Sequence, residues 1–204
     1  MPDLVAIYAD ESCLGNGRGD GAPGGAAGVV EWRHPGSGRV HRKDYWVSEP
    51  STTNNRMALR SVIEGFRGLS ARGDGRRFRV IFTTDSRYIV DGMTSWVHAW
   101  EARGWRRKGG TIENLELWRE ALRALGPHEC EWRWVRGHRG HPQNEYANHL
   151  AVKAAATQTS SGGFVASGFE AWIAEHSGAA IASQGVAPFP AGDDFRGRHR
   201  RWTI

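Results

Sequence analysis

The sequence predicts an α/β protein whose chemistry lies at the ends of two strands. The apolar run 4–9 has the length of a buried central strand and is followed by Asp10. The run 79–84 repeats this design and is followed by Asp85. Because the strand–helix–strand order between them predicts parallel neighbours, we expect the two carboxylates to meet at one sheet edge and to share a hard divalent cation. Taken alone, Asp10 has the simpler interpretation of a residue that begins a turn.

Five strands and several helices are predicted in chain order. Residues 26–32 and 40–48 follow the first strand as an antiparallel meander, because the Pro and Gly residues of 35–38 between them are typical of a turn. A helix is predicted from Asn54, since apolar residues recur at helical spacing over 59–66. After the fourth strand, 79–84, we predict a helix over 112–125, a fifth strand over 130–135 and a helix over 143–156. The Gly-rich stretch 15–28 is interpreted as a hairpin loop, because dinucleotide-binding and P-loop spacings are absent.

Composition narrows the class of protein. The 204 residues suffice for one domain with an appendage, and the net charge of +5 leans mildly toward anionic partners. The two cysteines, Cys13 and Cys130, fit reduced thiols better than a disulfide framework. No run approaches the roughly 20 apolar residues of a membrane span, and 4–9 is too short for a signal peptide's apolar core. We therefore expect a soluble, cytoplasmic protein.

Three polar patterns have both a functional and a structural interpretation. Thr53 and the residues after it lie at a helix start, where they could bind a phosphate or only cap the helix. The segment 95–108 interleaves Trp with Arg and Lys, which favours nucleic-acid binding over a helix that packs its Trp inward. His138 and His141 lie three apart in a loop; a zinc site would need further ligands, so a proton shuttle is the better interpretation.

The composition changes after residue 157. Residues 160–163 are Ser- and Gly-rich and are interpreted as a linker, and a short helix is predicted around 169–176. Residues 196–202 form a basic tail that either adds nucleic-acid affinity or is an inert appendage. We therefore divide the chain into a domain over 1–156 and an extension over 157–204.

Together these motifs resemble bacterial type I ribonuclease H over residues 3–156. They are Asp10 with its following Ser-Cys-Leu-Gly-Asn, the run 52–57, Thr-Asp-Ser at 84–86, the run 134–142, and Asn-Glu-x-x-Asn-x-Leu-Ala at 144–151. The resemblance implies a ribonuclease H-like fold, a mixed five-stranded sheet with an antiparallel meander and parallel strands 1, 4 and 5, flanked by helices. It also implies cleavage of the RNA strand of an RNA–DNA hybrid by a monomer with two Mg²⁺ ions, for which Mn²⁺ could substitute.

The resemblance also assigns roles to individual residues. Asp10 and Asp85 match two acidic metal ligands, Asn148 occupies the position of another, and His138 matches a His that assists water activation or product release. The nucleic-acid contacts it implies are of three kinds: minor-groove contacts, a DNA-phosphate pocket, and a basic protrusion that grips the DNA strand. The minor-groove contacts fall on Asn16, Asn54 and Asn55, and the phosphate pocket falls on Thr53. The basic protrusion comprises Trp96, Trp100, Trp105, Arg106, Arg107 and Lys108.

Three positions depart from the family's pattern. Ala58 occupies the position of a ligand Glu and cannot bind a metal, whereas Asn148 keeps a carbonyl oxygen but removes one negative charge. Glu11 replaces a Gly, and strand alternation predicts that it points away from Asp10 and does not repair the site. We therefore expect low activity, with Ala58 an engineered truncation whose reversal to Glu raises cleavage at least tenfold, and Asn148 natural.

Two alternatives remain open. One is a hybrid-binding module whose catalysis has lapsed, which Ala58 and Asn148 together favour. The other is a DNA strand-transfer nuclease of the same fold, against which the Asn positions that would contact the RNA 2′-hydroxyl argue.

Overall fold

The computed structural model describes residues 2–15, 21–71, 73–137, 139–176 and 185–204. Its strands form one mixed sheet in the order β5-β4-β1-β2-β3-β6. The strands are β1 (Asp3–Cys13), β2 (Ala22–Arg33), β3 (Val40–Thr52), β4 (Phe78–Thr84), β5 (Glu129–Trp134) and β6 (Val165–Ala166).

Helices cover both faces of the sheet. Between α2 and α3 the chain makes a π-helical turn at Gly92–Trp96, and a short 3-10 turn occurs at Gly192–Asp194. The helices are α1 (Asn54–Ser70), α2 (Arg87–Asp91), α3 (Val97–Glu101), α4 (Leu115–Leu125), α5 (Pro142–Thr157) and α6 (Phe169–Glu175).

Strand pairing confirms the predicted antiparallel meander and the predicted parallel pairing of the first and fourth strands. β1 pairs antiparallel with β2, β2 pairs antiparallel with β3, and β1 pairs parallel with β4, ending at Ala9 opposite Thr84. Two details of the prediction are wrong. Residues 22–28 belong to β2 rather than to a loop, because their small side chains fit beneath a helix. The sheet also has a sixth strand, β6, whose two residues are too few to show a pattern in the sequence.

The main hydrophobic core lies between the sheet and the helices α1 and α4, around fully buried side chains such as Phe66, Phe82 and Trp118. On the sheet's other face α5 packs closely on β2. A Cβ at Gly25 would approach Ala151 O within 2.2 Å, so only glycine permits this contact. That close approach brings the first turn of α5 to the carboxyl end of β1.

The described residues after 157 pack on the sheet. Buried Asp44 of β3 accepts hydrogen bonds from the Tyr146 hydroxyl (2.6 Å), the Ser167 hydroxyl (2.6 Å) and the Gly168 amide (3.0 Å). Near the end of the chain, Arg198 forms an isolated antiparallel bridge with Cys130 on the edge strand β5. The division of the chain at residue 156 stays a prediction.

Both cysteines, Cys13 and Cys130, are free thiols. Among the residues that the structure describes, no helix is both long enough and apolar enough to cross a bilayer.

Candidate metal centre

The two strand-end aspartates meet as the sequence predicts. The parallel pairing of β1 with β4 ends at Ala9 and Thr84, and the next residue of each strand is an aspartate. Carboxylate oxygens of Asp10, Glu11 and Asp85 lie within 4.8 Å of one another. Among the described residues this is the one group of three acidic, His or Cys side chains with the geometry to hold a metal ion.

The position of Glu11 corrects our sequence-based expectation. Strand alternation predicted that its side chain points away from Asp10, but its carboxylate joins the same cluster. Alternation governs side chains in the interior of a sheet, whereas β1 has lost its β4 neighbour at this residue. The three side-chain torsions of a glutamate then let the carboxylate turn back toward Ser86, with which it makes a hydrogen bond. The sequence signal was the adjacent Asp-Glu pair at a strand end.

The cluster holds more negative charge than its surroundings compensate. Burial and the Asp85 carboxylate raise the pKa of Asp10 to about 8, against the opposing effect of the Glu11 amide, which donates to Asp10 Oδ1 at 2.7 Å. Burial, followed by repulsion from Asp10 and Asp85, raises the pKa of Glu11 well above its ordinary value. Both shifts have the causes expected of buried carboxylates that face one another. A divalent cation would reverse them.

One buried oxygen indicates that the cluster fits a metal. Glu11 Oε2 is buried and accepts no hydrogen bond within the described part of the chain. An orphaned carboxylate oxygen in the interior is costly, and such groups normally pair with a charge or a metal. Oxygen ligands of this type suit hard divalent cations, so the donor set matches the kind of ion that the sequence predicts.

Helix α5 contributes Asn144, which the sequence did not identify as a site residue. Its Nδ2 donates to Asp10 Oδ2 at 3.3 Å, and it is buried. The half-buried Asn148 lies four residues later, on the same face of the helix. The i, i+4 spacing of the two asparagines is the signal that would have linked Asn144 to the site. His141 caps this helix by accepting from the Asn144 amide at 3.4 Å.

Two other positions bear on the ligand set: one offers no ligand, and the other lies against the Asp85 carboxylate. Ala58 is fully buried in the core on α1 and offers no ligand. Gly137, in the loop after β5, lies so close to Asp85 that a Cβ there would approach Asp85 Oδ2 within 2.0 Å. This loop leads to His138, which lies outside the described residues, as does Asn16.

The predicted minor-groove and phosphate contacts lie at the start of α1. Thr53 is the N-cap, and its hydroxyl accepts from the Arg56 amide at 3.3 Å, so the predicted cap is confirmed, whereas the phosphate contact stays a prediction. Asn54 and Asn55 are half-buried. Asn54 Oδ1 is buried and has no hydrogen-bond partner within the described ranges, so it is placed to accept a bond from a ligand.

The Trp- and Arg-rich segment divides into an inner and an outer part. Trp96 and Trp100 pack around Trp118, with ring centroids 6.4 and 5.6 Å from it, although Trp96 remains 37% exposed. Trp105 is only 9% exposed, and its indole N–H donates to the Thr203 carbonyl at 2.7 Å. Its indole N–H is therefore occupied within the chain, and its contact with nucleic acid stays a prediction. The exposed cations of the segment are Arg103, Arg106, Arg107 and Lys108.

Comparison with known proteins gives consistent matches. The family model for RNase H matches residues 2–156. A ribonuclease HI of Neisseria meningitidis serogroup A is 40% identical over 157 residues, which cover 76% of this chain and 98% of that protein. A ribonuclease H of Escherichia coli O127:H6 is 38% identical over 160 residues, which cover 78% of this chain and 94% of that protein.

One of two similar solved structures extends the similarity beyond residue 156. A crystal structure of LC9-RNase H1, described as a type 1 RNase H with the type 2 active-site motif, is 62% identical with a TM-score of 0.88. The match covers 97% of this chain and 92% of that one. The structure of LC11-RNase H1 in complex with an RNA/DNA hybrid shares the fold at 19% identity, with a TM-score of 0.52 over 76% of this chain and 98% of that one.

Proposed function

The chain belongs to the ribonuclease H family, and from that premise we propose that it cleaves the RNA strand of RNA–DNA hybrids with divalent cations held by Asp10, Glu11 and Asp85. The observation that carries the proposal is the meeting of three carboxylates where the pairing of β1 with β4 ends, with one buried oxygen unpartnered. Mg²⁺ is the cation we propose, because it prefers oxygen ligands and few protein carboxylates. Mn²⁺ could substitute for it.

When bound, such cations lower the pKa of water and stabilise the charge that develops on the leaving oxygen. The three carboxylates would hold them at the strand ends, where the sheet gives each side chain a rigid base. Asn144 orients Asp10 by donating to the oxygen Oδ2. Asn148, one turn further along α5, would add a neutral carbonyl ligand, and His138 is proposed to move a proton during water activation or product release.

We further propose that Glu11 takes the part that the family gives to a glutamate at position 58. Its carboxylate already belongs to the cluster, whereas Ala58 is enclosed by the core. The solved relative that is 62% identical is described as combining a type 1 enzyme with the type 2 active-site motif, which supports an altered ligand set on this fold. On this proposal Ala58 is part of a working site and needs no reversal, in place of the engineered truncation that the sequence suggested.

Binding of the hybrid is proposed to use two surfaces. The start of α1 offers Asn54, Asn55 and the exposed Thr53, which suit contacts to the minor groove and to a DNA phosphate. The protrusion offers the exposed cations Arg106, Arg107 and Lys108 for phosphates of the DNA strand, with the partly exposed Trp96 and Trp100 beside them.

A cleavage assay with each strand of a hybrid labelled separately tests the proposal. We expect the wild-type chain to cut the RNA strand and leave the DNA strand intact, in Mg²⁺ or Mn²⁺ and not in EDTA. The matched control is Asp85→Asn, which keeps the shape of the side chain and should abolish cleavage.

Other results would select the alternatives. Hybrid binding without cleavage in either metal would identify a lapsed binding module, and cleavage of an all-DNA duplex would identify a DNA nuclease. The chain is further proposed to act as a monomer in the cytoplasm. Light scattering coupled to gel filtration measures the first of these properties, and cell fractionation measures the second.

A further inference from the structure

Residues 196–203, which we call the tail, cross the edge of the sheet to reach the protrusion. Arg198 bridges to Cys130 on the edge strand β5, and a Cβ at Gly197 would approach the carbonyl carbon of Cys130 within 2.7 Å. The Arg196 amide donates to the Glu131 carboxylate. The tail is therefore held along β5 before it turns toward α3.

The end of the tail is clamped to the root of the protrusion. Glu101, the last residue of α3, accepts from the Thr203 amide at 2.6 Å and pairs with Arg200 through its other oxygen. The indole of Trp105 donates to the Thr203 carbonyl at 2.7 Å. The ring of Trp202 lies 4.9 Å from that of His98, measured between centroids, and stacks beneath the Arg200 guanidinium. The clamp thus engages the residue directly before Arg106.

Two arginines of the tail have no part in this clamp. Arg198 and Arg201 are exposed, and within the described ranges neither makes an ion pair or a side-chain hydrogen bond. Arg201 lies two residues from Thr203, which contacts Trp105, and the residue after Trp105 is the exposed cation Arg106. The clamp therefore holds two unpaired arginines in the segment that contacts the root of the protrusion.

We propose that the tail is a phosphate-binding part of the hybrid interface, in which Arg198 and Arg201 contact backbone phosphates beyond those bound by the protrusion. The proposal rests on the proposed function, because it extends the same nucleic-acid surface. Free guanidinium groups bind phosphate through paired N–H donors, independently of base sequence. The clamp increases the affinity that these contacts provide, because a tail that is already ordered loses little conformational entropy when the hybrid binds.

The salt dependence of hybrid binding separates a phosphate contact from a structural brace. Fluorescence anisotropy with a labelled hybrid is measured over a series of salt concentrations for the Arg198→Ala/Arg201→Ala chain and the wild type, in Ca²⁺ to prevent turnover. Each phosphate contact contributes about 0.9 to the slope of log K against log salt. We expect the slope to fall by about 1.8 for the pair, which at about 0.1 M salt corresponds to a loss of affinity of about 60-fold when binding at about 1 M salt is unchanged.

The matched control is Arg39→Ala/Arg123→Ala, which removes the same charge from exposed positions on the β2–β3 turn and α4. We expect this variant to retain the wild-type slope and activity. In steady-state cleavage, Arg198→Ala/Arg201→Ala should raise KM more than it lowers kcat. Trp202→Ala, which loosens the clamp, should also weaken binding.

Three results would overturn the proposal. The first is an unchanged salt slope and affinity in Arg198→Ala/Arg201→Ala while the wild-type chain binds and cuts the hybrid, which would leave the proposed function intact. The second is an equal effect of the control pair, which would mean that only net charge matters. The third is a wild-type chain that neither binds nor cuts the hybrid, which would remove the proposed function together with this extension of it.

Discussion

Replacing Glu11 by Gln should make the metal-free protein more stable and the enzyme much less active. The substitution keeps the shape of the side chain and removes its charge. Glu11, Asp10 and Asp85 have oxygens within 4.8 Å of one another, and at an effective dielectric constant of about 20 two like charges at that distance repel by about 3.5 kcal/mol. Glu11 has two such neighbours, although protonation of the cluster relieves part of the repulsion.

The assay is thermal unfolding at about pH 8, with EDTA and with Mg²⁺. For a chain of this size each kcal/mol moves Tm by about 2–4 °C, so we expect the Glu11→Gln protein without metal to melt about 5 °C higher than wild type. The upward shift of Tm that Mg²⁺ causes in the wild type should shrink, because the variant binds the ion more weakly. Hybrid cleavage should fall at least about 100-fold, since even residues behind metal ligands cost 10–100-fold.

The matched control is Glu113→Gln, an exposed glutamate outside the cluster, which should change none of these measurements. A Glu11→Gln protein that melts lower without metal, keeps its response to Mg²⁺ and cuts the hybrid at the wild-type rate would refute the reasoning. Glu11 would then be a structural residue.

Three further substitutions test the site. Gly137→Ala should lower kcat roughly tenfold with little change in Tm, because a Cβ there displaces the Asp85 carboxylate; steady-state cleavage and unfolding measure the two effects. Without metal, Asp10→Asn should become more stable than wild type as pH rises from about 4 through about 8, because the folded state disfavours the ionised form of Asp10, whose pKa is raised to about 8. At about 1.36 kcal/mol per pKa unit, the difference in the free energy of unfolding is at most about 6 kcal/mol. Urea unfolding at a series of pH values measures it. Ala58→Glu should not raise cleavage in the steady-state assay, because position 58 is enclosed by the core.

The sequence predicts the centre of the fold because its signals there are local and repeated. An apolar strand followed by an aspartate occurs twice, and the helix between the two copies implies parallel pairing. Those three features are enough to bring Asp10 and Asp85 together, as the structure confirms. The helix start at Asn54 was also predictable, since Thr53 is a standard N-cap ahead of an apolar stripe.

Glu11 was missed because the rule of alternating side chains was applied beyond the end of the neighbouring strand. The sequence places the end of the first strand at Asp10, whereas β1 continues along β2 to Cys13, past the end of its pairing with β4. The offset of β1 and β4 leaves Glu11 beside a strand end rather than beside a strand, and this decides where its side chain lies. Asn144 was missed for a related reason, since its contact with Asp10 depends on how α5 crosses the sheet.

The extension was the least predictable part because its contacts are long-range. Asp44 on β3 is satisfied by Tyr146, Ser167 and Gly168, which lie more than 100 residues away in the chain. Trp105 looked like a stacking residue because its neighbours are basic, yet its indole is engaged by the tail. Neither partnership leaves a periodic pattern in the sequence.

The most direct test of the central claim is a crystal soaked with Mn²⁺ and measured at an anomalous wavelength. If the three strand-end carboxylates form the metal centre, an anomalous peak will lie within about 2.0–2.4 Å of oxygens from Asp10, Glu11 and Asp85. A peak bound by Asp10 and Asp85 with the Glu11 carboxylate turned away, or no peak at this edge of the sheet, would contradict the account.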